Sequence, residues 1–250
     1  MQYGICHLSI VPVRSLADDT GEMISQILYG EHFKVLEQRK NWSKVRMAFD
    51  RYEGWVNNQQ FLSISEEAYT EIDRSENTYI SSELISYIET GQNILIPILL
   101  GSTIVQHPVL DHRFEGPLTH GRQDKTLLVP TALHYLNAPY LWGGKTVFGI
   151  DCSGLVQMVY KINGYSLLRD SRQQSAQGEA LSFIEESEPG DLAFFDNNEG
   201  IINHVGIIMD NNYIIHSHGK VRIDRIDHTG IFNTETNTYT HSLRVIKKII

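Results

Sequence analysis

The sequence predicts an α+β domain in its C-terminal half, preceded by one or two small all-β barrels. Short stretches of alternating apolar and polar residues run as far as about residue 64, whereas a helical pattern after residue 151 precedes a series of strands. With 250 residues, of which 41% are hydrophobic, the chain is long enough for more than one domain. We expect domains at residues 1–64, 65–124 and 125–250.

The first region predicts a small antiparallel barrel. Phe33 and Val35 alternate with polar residues, and Asp18-Asp19, Asn41 and Asp50 interrupt the pattern as turn residues do. The predicted strands are Ile5 to Val13, Ile24 to Tyr29, Phe33 to Glu37, Trp42 to Met47, Gly54 to Val56 and Phe61 to Ile64. The motifs Val-Pro-Val-Arg, Tyr-Gly-Glu, Asn-Trp-Ser-Lys-Val and Glu-Gly-Trp-Val are similar to those of bacterial SH3-like barrels.

The signal is weaker between residues 65 and 124. An acidic segment comes first, and the pattern after it predicts a helix around Ser82 to Tyr87 and a strand from Ile94 to Leu100. We interpret this region as a second, degenerate SH3-like barrel or as a connector.

The C-terminal region combines helices with a later antiparallel sheet. A helix is predicted around Leu127 to Leu136 and another from Cys152, where Leu155, Val156, Val159 and Ile162 recur at three- and four-residue spacing. The predicted strands are Asp191 to Phe195, Val205 to Met209, Tyr213 to Ser217, Lys220 to Ile223 and Leu243 to Ile249.

Cys152 follows a glycine-rich turn and stands at the start of its predicted helix. We expect Asp151 to be the N-cap of this helix and Asn163-Gly164 to end it. Unpaired backbone N–H groups and the helix dipole favour a thiolate there, so we expect a lowered pKa and a nucleophilic thiol. A cysteine taken in isolation is more often a buried structural residue, so a nucleophile needs a base elsewhere in the chain.

Two histidines on a predicted hairpin can supply that base. His204 and His216 lie on strands that flank Asp210-Asn211-Asn212. An odd number of loop residues places both imidazoles on one face, directly opposite or diagonal, whereas a two-residue loop separates them. On one face, one imidazole would accept the thiol proton and the second would orient the first.

Composition narrows the classes of partner. The formal net charge is −9 and the longest basic run is Lys247-Lys248, so nucleic acid is not an expected partner. The longest strongly apolar run, from Ile94 to Leu100, is far too short to span a membrane. Cys6 and Cys152 are expected to be free thiols, and with no visible signal peptide we expect a cytoplasmic monomer.

The C-terminal half resembles the NlpC-type cell-wall endopeptidases, which are papain-like cysteine peptidases. The motifs that carry the resemblance are, in the family's order, Tyr-Leu-Trp-Gly-Gly (140 to 144), Asp-Cys-Ser-Gly (151 to 154), Glu-Pro-Gly-Asp-Leu (188 to 192), His-Val-Gly-Ile (204 to 207) and Ile-His-Ser (215 to 217). The resemblance implies that Cys152 is the nucleophile, His204 the general base and acid, and His216 the orienting residue. It implies hydrolysis of a γ-D-glutamyl bond to a diamino acid in peptidoglycan peptides, with no metal and no organic cofactor.

The N-terminal barrel narrows this resemblance to a subgroup that trims peptides with a free N-terminal L-alanine, releasing L-Ala-γ-D-Glu in murein peptide recycling. The resemblance implies that Glu31, Tyr52 and Asp151 bind the amine. It likewise implies that the dipeptide site is lined by Tyr140, Ser153 and Ser171. A carboxylate buried without its cation is costly, so such a site would reject capped peptides.

Three other functions remain open on the sequence. A metal hydrolase could use His204, His216 and His218 as ligands, although no acidic residue beside them is an obvious base. A non-catalytic binder of cell-wall peptide and an amidase or acyltransferase on the same fold are the other two.

Overall fold

The computed structural model of the chain describes residues 2–75, 78–197 and 199–250. The chain divides into two compact units, each with its own core. The first unit comprises Met1–Arg122 and Trp142–Thr146, and the second comprises Gln123–Leu141 and Val147–Ile250.

The first unit begins with a seven-stranded antiparallel sheet, ordered β3-β2-β6-β5-β4-β1-β7. Its strands are β1 Gln2–Ile5, β2 Ile10–Arg14, β3 Met23–Leu28, β4 His32–Gln38, β5 Trp42–Met47, β6 Glu53–Asn57 and β7 Leu62–Ile64. The predicted single strand from Ile5 to Val13 is wrong: the chain turns after Ile5, so that β1 pairs with β4 and β2 pairs with β3. Alternate residues such as Phe33 and Val45 meet in the core, as the two-residue period requires.

Within the described residues 66–75 and 78–120, the first unit forms one α-helix and two three-stranded sheets, ordered β10-β9-β12 and β11-β8-β13. These elements are α1 Glu66–Asp73, β8 Tyr79–Ser81, β9 Ile85–Thr90, β10 Leu95–Leu99, β11 Thr103–Ile104, β12 His112–Phe114 and β13 Leu118–His120. The predicted helix around Ser82 to Tyr87 is wrong, because Ser86 and Ile88 alternate with more exposed neighbours along β9. The predicted strand from Ile94 to Leu100 is confirmed as β10.

The second unit places its α-helices before a closed sheet. The remaining elements in chain order are α2 Leu128–Leu133, β14 Lys145–Thr146, β15 Gly149–Ile150, α3 Cys152–Ile162, α4 Ser171–Gln174, β16 Glu179–Leu181, β17 Leu192–Asp196, β18 Ile202–Met209, β19 Tyr213–His218, β20 Lys220–Ile226, β21 Gly230–Asn233 and β22 Thr238–Lys248. Of these, β14 belongs to the first unit. The sheet order is β16-β22-β17-β18-β19-β20-β21, and β22 also pairs with β21, which closes six strands into a small barrel.

The helix that carries Cys152 has the predicted ends. The Asp151 carboxylate accepts a hydrogen bond from the Gly154 N–H at 2.6 Å, which makes Asp151 the N-cap. The helix ends at Ile162, and Gly164 follows with a φ of 82°. Every residue of α3 is buried, and the helix packs against β18 and β19. The nucleophile candidate therefore sits on a rigid element at the edge of the barrel.

Among the described residues, no helix has the length and apolar character needed to cross a membrane.

Candidate active site

The turn between β18 and β19 sets the relative position of the two predicted histidines. Its three residues, Asp210–Asn212, join Met209 to its partner Tyr213, and Asn211 and Asn212 adopt φ values of 58° and 60°. His216 lies opposite Gly206, so His204 is its diagonal neighbour on the same face. The odd loop length is thus the alternative that the structure adopts.

A continuous hydrogen-bond relay extends from His204 into the barrel. The His204 Nε2 and His216 Nδ1 atoms are 2.8 Å apart, and His216 Nε2 lies 3.0 Å from Asp224 Oδ2. Arg222 donates to both oxygens of the same carboxylate, at 2.6 and 2.9 Å. His204, His216 and Asp224 are all buried, with exposed fractions of 6%, 0% and 3% in that order. Water therefore competes little for these bonds.

The carboxylate fixes the tautomer of each imidazole. An ionised carboxylate only accepts hydrogen bonds, so His216 donates its Nε2–H to Asp224. The His216 Nδ1 then accepts the Nε2–H of His204. This arrangement leaves the lone pair of His204 on Nδ1, the form that a general base requires.

Cys152 and His204 line the same cavity, which has a volume of about 330 Å³. The other lining residues are Tyr140, Asn203, Ser217, His218, Gly219 and His241. The structure thus brings Cys152, His204 and Tyr140 to one cavity, with His216 directly behind His204. The cavity contains a thiol, a base and room for a peptide carbonyl, which is the set that acyl transfer through a thioester needs.

The pKa of the Cys152 thiol is shifted in the direction opposite to the sequence-based expectation. Burial, followed by the negative charge of Asp151, raises this pKa to about 12, against smaller lowering contributions from the Val205 and Ser153 backbones and from Arg169. The expected lowering is wrong because the helix start is almost fully desolvated. Burial and the neighbouring imidazoles also hold the pKa of His204 well below its usual range. Both shifts favour the uncharged form of their group, the thiol of Cys152 and the neutral imidazole of His204.

The predicted amine-binding carboxylate of the second unit has an internal cation. The Asp151 carboxylate accepts two hydrogen bonds from the Arg169 guanidinium, at 3.0 and 2.6 Å. The same guanidinium donates to Ser153 Oγ at 2.9 Å, and Arg169 is only 1% exposed. Asp151 and Ser153 therefore take part in a buried network that fixes the helix start, and Ser171, which is 9% exposed, begins α4.

Glu31 and Tyr52 belong to the first unit. The Glu31 carboxylate accepts the Leu28 N–H at 2.8 Å and lies 3.2 Å from the Lys145 ammonium. Both members of this ion pair are buried, with side-chain exposures of 3% and 4%. Tyr52 is half-buried, and its backbone N–H donates to Asp50. The roles of these residues in substrate binding remain predictions.

Sequence reasoning did not single out Asp224, His241 or the structural role of Arg169. The sequence gives a partial indication that Asp224 belongs to the site, because this residue follows His216 by eight residues and lies on the next strand. The sequence gives no such indication for His241, which reaches His204 from far along the chain because β22 pairs with β17. The two rings stack with centroids 4.0 Å apart.

Comparison with known proteins agrees with this geometry. Residues 137–240 match the NlpC/P60 family, and residues 13–61 match the family described as the bacterial dipeptidyl-peptidase SH3 domain. The chain therefore carries an NlpC/P60 domain together with a bacterial SH3 domain, as the motifs predicted.

The curated relatives carry peptidase names. A γ-D-glutamyl-L-lysine dipeptidyl-peptidase of Bacillus cereus strain ATCC 10987 is 28% identical over 228 residues, which cover 80% of this chain and 68% of the relative. Dipeptidyl-peptidase 6 of Lysinibacillus sphaericus is 27% identical over 242 residues, which cover 82% of this chain and 85% of the relative. The crystal structure of an NlpC/P60 family protein from Bacillus cereus ATCC 10987 superimposes with a TM-score of 0.84 at 18% identity, covering 99% of both chains. The fold is thus shared, and the chain is a cysteine-type peptidase related to peptidoglycan peptidases.

Proposed function

We propose that this chain hydrolyses the bond between γ-D-glutamate and a diamino acid in peptidoglycan-derived peptides and releases L-Ala-γ-D-Glu. The observation that carries the proposal is the cavity that Cys152 and His204 share, with the His204–His216–Asp224 relay behind it. The names of the relatives, which include γ-D-glutamyl-L-lysine dipeptidyl-peptidase, supply the substrate class.

The relay accounts for each proton transfer. The His204 Nδ1 takes the proton of Cys152 as the sulfur attacks the γ-carbonyl carbon of D-glutamate. The C–N bond then breaks, His204 returns the proton to the leaving amine, and a thioester remains. His204 next takes a proton from water as the water oxygen attacks the thioester carbon and displaces the sulfur. His204 returns that proton to the Cys152 sulfur, and the dipeptide leaves as a carboxylic acid, which ionises in solution. Throughout, Asp224 stabilises the positive charge that develops on the two imidazoles.

A direct assay tests the reaction. Wild type and Cys152→Ser should be incubated with L-Ala-γ-D-Glu-L-Lys and with a peptide that carries another diamino acid, and released L-Ala-γ-D-Glu should be measured. We expect release by the wild type alone, abolished by iodoacetamide and retained in the presence of a chelator. Absence of both products, L-Ala-γ-D-Glu and free diamino acid, would leave a cell-wall peptide binder, and loss of activity with the chelator alone would indicate a metal hydrolase. Free diamino acid without free L-Ala-γ-D-Glu would indicate acyl transfer to an acceptor other than water.

We extend the proposal to a substrate with a free N-terminal L-alanine. A dipeptidyl-peptidase acts two residues from an N-terminus, and the names of the relatives support this mode of cleavage. Glu31, Tyr52 and Asp151 are the proposed amine ligands, and Tyr140, Ser153 and Ser171 the proposed dipeptide contacts. Glu31 and Asp151 already pair with Lys145 and Arg169, so the support for this assignment comes from the names of the relatives and not from an unpaired carboxylate.

Acetylation of the substrate amine tests this extension. Wild type should turn over the acetylated peptide at least about a hundredfold more slowly, because the site was built around an ammonium group. Glu31→Gln should raise KM for the free peptide, whereas Glu37→Gln, at an exposed position on β4, should not. Equal turnover of the free and acetylated peptides would contradict recognition of the substrate amine.

The cellular setting is also a proposal. We infer a cytoplasmic monomer that degrades peptides recovered from the cell wall, and the two free buried thiols, Cys6 and Cys152, support a reducing compartment. Fractionation of cells that produce the chain, with light scattering on the purified protein, tests both points. Activity confined to the medium or a stable dimer would contradict them.

A further inference from the structure

The His204 ring is held by contacts of different kinds. Its Nε2 meets His216 Nδ1 at 2.8 Å, and the planes of these two rings cross at 87°. The ring of His241 stacks on the His204 ring, with centroids 4.0 Å apart and an angle of 23° between the planes. The Phe195 ring lies farther away, at 5.8 Å and 46°. Of these three ring contacts, the one with His241 is the closest and the most nearly parallel.

A hydrogen bond and a stacked ring restrain an imidazole in different ways. The bond at Nε2 restrains one atom of His204, but the ring can still turn about its Cβ–Cγ bond, because this torsion of histidine has a broad minimum. A flat neighbour against the ring opposes that turn, since rotation would open a gap on one side and force a clash on the other. The plane of the His204 ring in turn decides where the lone pair of Nδ1 points.

The direction of this lone pair matters because the thiol lies close to β18. Cys152, His204 and His241 line one cavity. Burial chiefly raises the pKa of the Cys152 thiol, and a hydrogen bond from the backbone of Val205, the residue after His204, opposes that rise. A general base must have its lone pair within hydrogen-bond reach of the proton that it takes. A turn of the His204 ring would therefore separate the base from the thiol without any movement of the backbone.

A bulge in β22 brings His241 to the face of the sheet that carries His204. On β17, Phe195 pairs with His204 of β18 and with Leu243 of β22, so these three side chains share one face. Beyond Leu243, β22 contains one residue more than β17, and Ile246 packs against the same core as Leu243. A strict two-residue period from Ile246 would turn His241 to the opposite face. The bulge therefore determines that His241 reaches the base.

The backbone around His241 is also adapted to its position. Gly230 on β21 has a φ of 148°, and a Cβ at this residue would lie 1.8 Å from the carbonyl oxygen of His241. The close approach of β21 to β22 at this point therefore requires glycine. Thr240 Oγ1 lies 2.8 Å from His241 Nδ1 and restrains the ring itself.

The charge state of His241 suits a ring that stacks on a general base. Burial, followed by His216 and His218, lowers the pKa of His241 to about 3, against a raising effect of Asp224. These shifts favour the uncharged ring at neutral pH. An uncharged ring does not repel the positive charge that His204 acquires with the thiol proton, whereas a cation stacked on His204 would.

We propose that His241 is a positioning residue of the peptidase, whose ring stacks on His204 and holds the plane of this imidazole so that Nδ1 faces the Cys152 sulfur. The flat, uncharged face of His241 performs this role, and its ring nitrogens do not take part in the reaction. Another flat ring at position 241 should therefore replace it. The effect on peptide hydrolysis rests on the proposed function, whereas the orientation of the base toward the thiol does not.

Substitutions at His241 separate a flat ring from bulk. His241→Phe keeps a flat, uncharged ring, His241→Leu keeps apolar bulk without a flat face, and His241→Ala removes both. Tyr239→Ala is the matched control, because it deletes a ring from the same strand outside the cavity, where Tyr239 packs on Phe232. Thermal unfolding of each variant sets an assay temperature at which it is folded, and His241→Leu carries the test if His241→Ala does not fold.

Two readouts are needed, one of which is independent of the peptide. The first is kcat and KM for L-Ala-γ-D-Glu-L-Lys. The second is the rate at which iodoacetamide alkylates the Cys152 thiol, followed by mass spectrometry of the peptide that contains it. This rate depends on removal of the thiol proton by His204 and needs no knowledge of the natural substrate.

We expect kcat to fall at least about tenfold in His241→Leu and His241→Ala with a smaller change in KM, because a misdirected base slows the chemical step. Alkylation of Cys152 should slow in the same two variants. His241→Phe and Tyr239→Ala should stay within about threefold of wild type in both assays, a margin far smaller than the effect of misplacing a catalytic group by about 1 Å.

Two outcomes would overturn the positioning role. The first is a folded His241→Leu that matches wild type in both assays. The second is a folded His241→Phe as slow as His241→Leu, which would mean that an imidazole nitrogen is required and not the flat face.

The positioning role and the proposed function fail in different ways. Suppose that no variant and no wild type cleaves the peptide, but alkylation slows in His241→Leu and recovers in His241→Phe. This result would contradict the proposed function and support the positioning role. Peptide cleavage by wild type, with unchanged rates in His241→Leu, would contradict the positioning role and support the proposed function.

Discussion

Asp224→Asn tests the relay at the residue farthest from the sulfur. The substitution keeps the size of the side chain but removes the charge that orders His216 through a contact of 3.0 Å. An amide offers a donor as well as an acceptor, so His216 is free to adopt the other tautomer. In that tautomer His216 donates its Nδ1–H to His204 Nε2, so the His204 proton sits on Nδ1 and the lone pair that serves as the base is lost.

The structure sets the size of the effect. A hydrogen bond to a charged group contributes about 1.5–3 kcal/mol, and each 1.36 kcal/mol corresponds to a tenfold change in rate. We therefore expect kcat to fall about 10- to 150-fold with little change in KM, because Asp224 is separated from the cavity by two imidazoles. Asp224→Glu, which keeps the charge, should recover part of the loss.

The assay is steady-state release of L-Ala-γ-D-Glu, measured well below the unfolding temperature of each variant. Asp210→Asn is the matched control, since it makes the same change of charge at an exposed position in the β18–β19 turn. A kcat for Asp224→Asn within twofold of wild type, alongside an inactive His216→Ala, would refute the relay as drawn.

Two further predictions concern stability. Burial lowers the pKa of both His204 and His216, so below about pH 6.5 the unfolded chain binds more protons than the folded chain. The free energy of unfolding should therefore fall as the pH decreases, by up to about 1.4 kcal/mol per pH unit for each histidine. Urea unfolding that is unchanged between pH 7.5 and 5 would contradict this expectation. Arg169→Met leaves the Asp151 carboxylate buried without its cation and should cost about 3–5 kcal/mol in urea unfolding. Adding Asp151→Asn should recover part of that loss, and a double variant no more stable than Arg169→Met would count against the pairing.

Local patterns were enough to predict much of the fold. The α3 boundaries follow from one capping side chain and one glycine, and β10 follows from a short apolar run. The same reasoning was wrong for β9, where a six-residue apolar pattern fits a helix and a strand equally well until its partners are known. It was also wrong for the single strand from Ile5 to Val13, which spans two strands with different partners.

By itself, the sequence determined the chemistry of the site. Cys152 at a helix start, and His204 and His216 on the two strands of one hairpin, depend on cap and turn preferences that act within a few residues. The three-residue length of the hairpin turn, which puts both imidazoles on one face, was left open by the sequence. Only the tertiary structure decided what surrounds that chemistry. Asp224 and His241 reach the two imidazoles through strand pairings whose register no local pattern encodes, and the raised pKa of Cys152 follows from burial, which is a property of the whole packed unit.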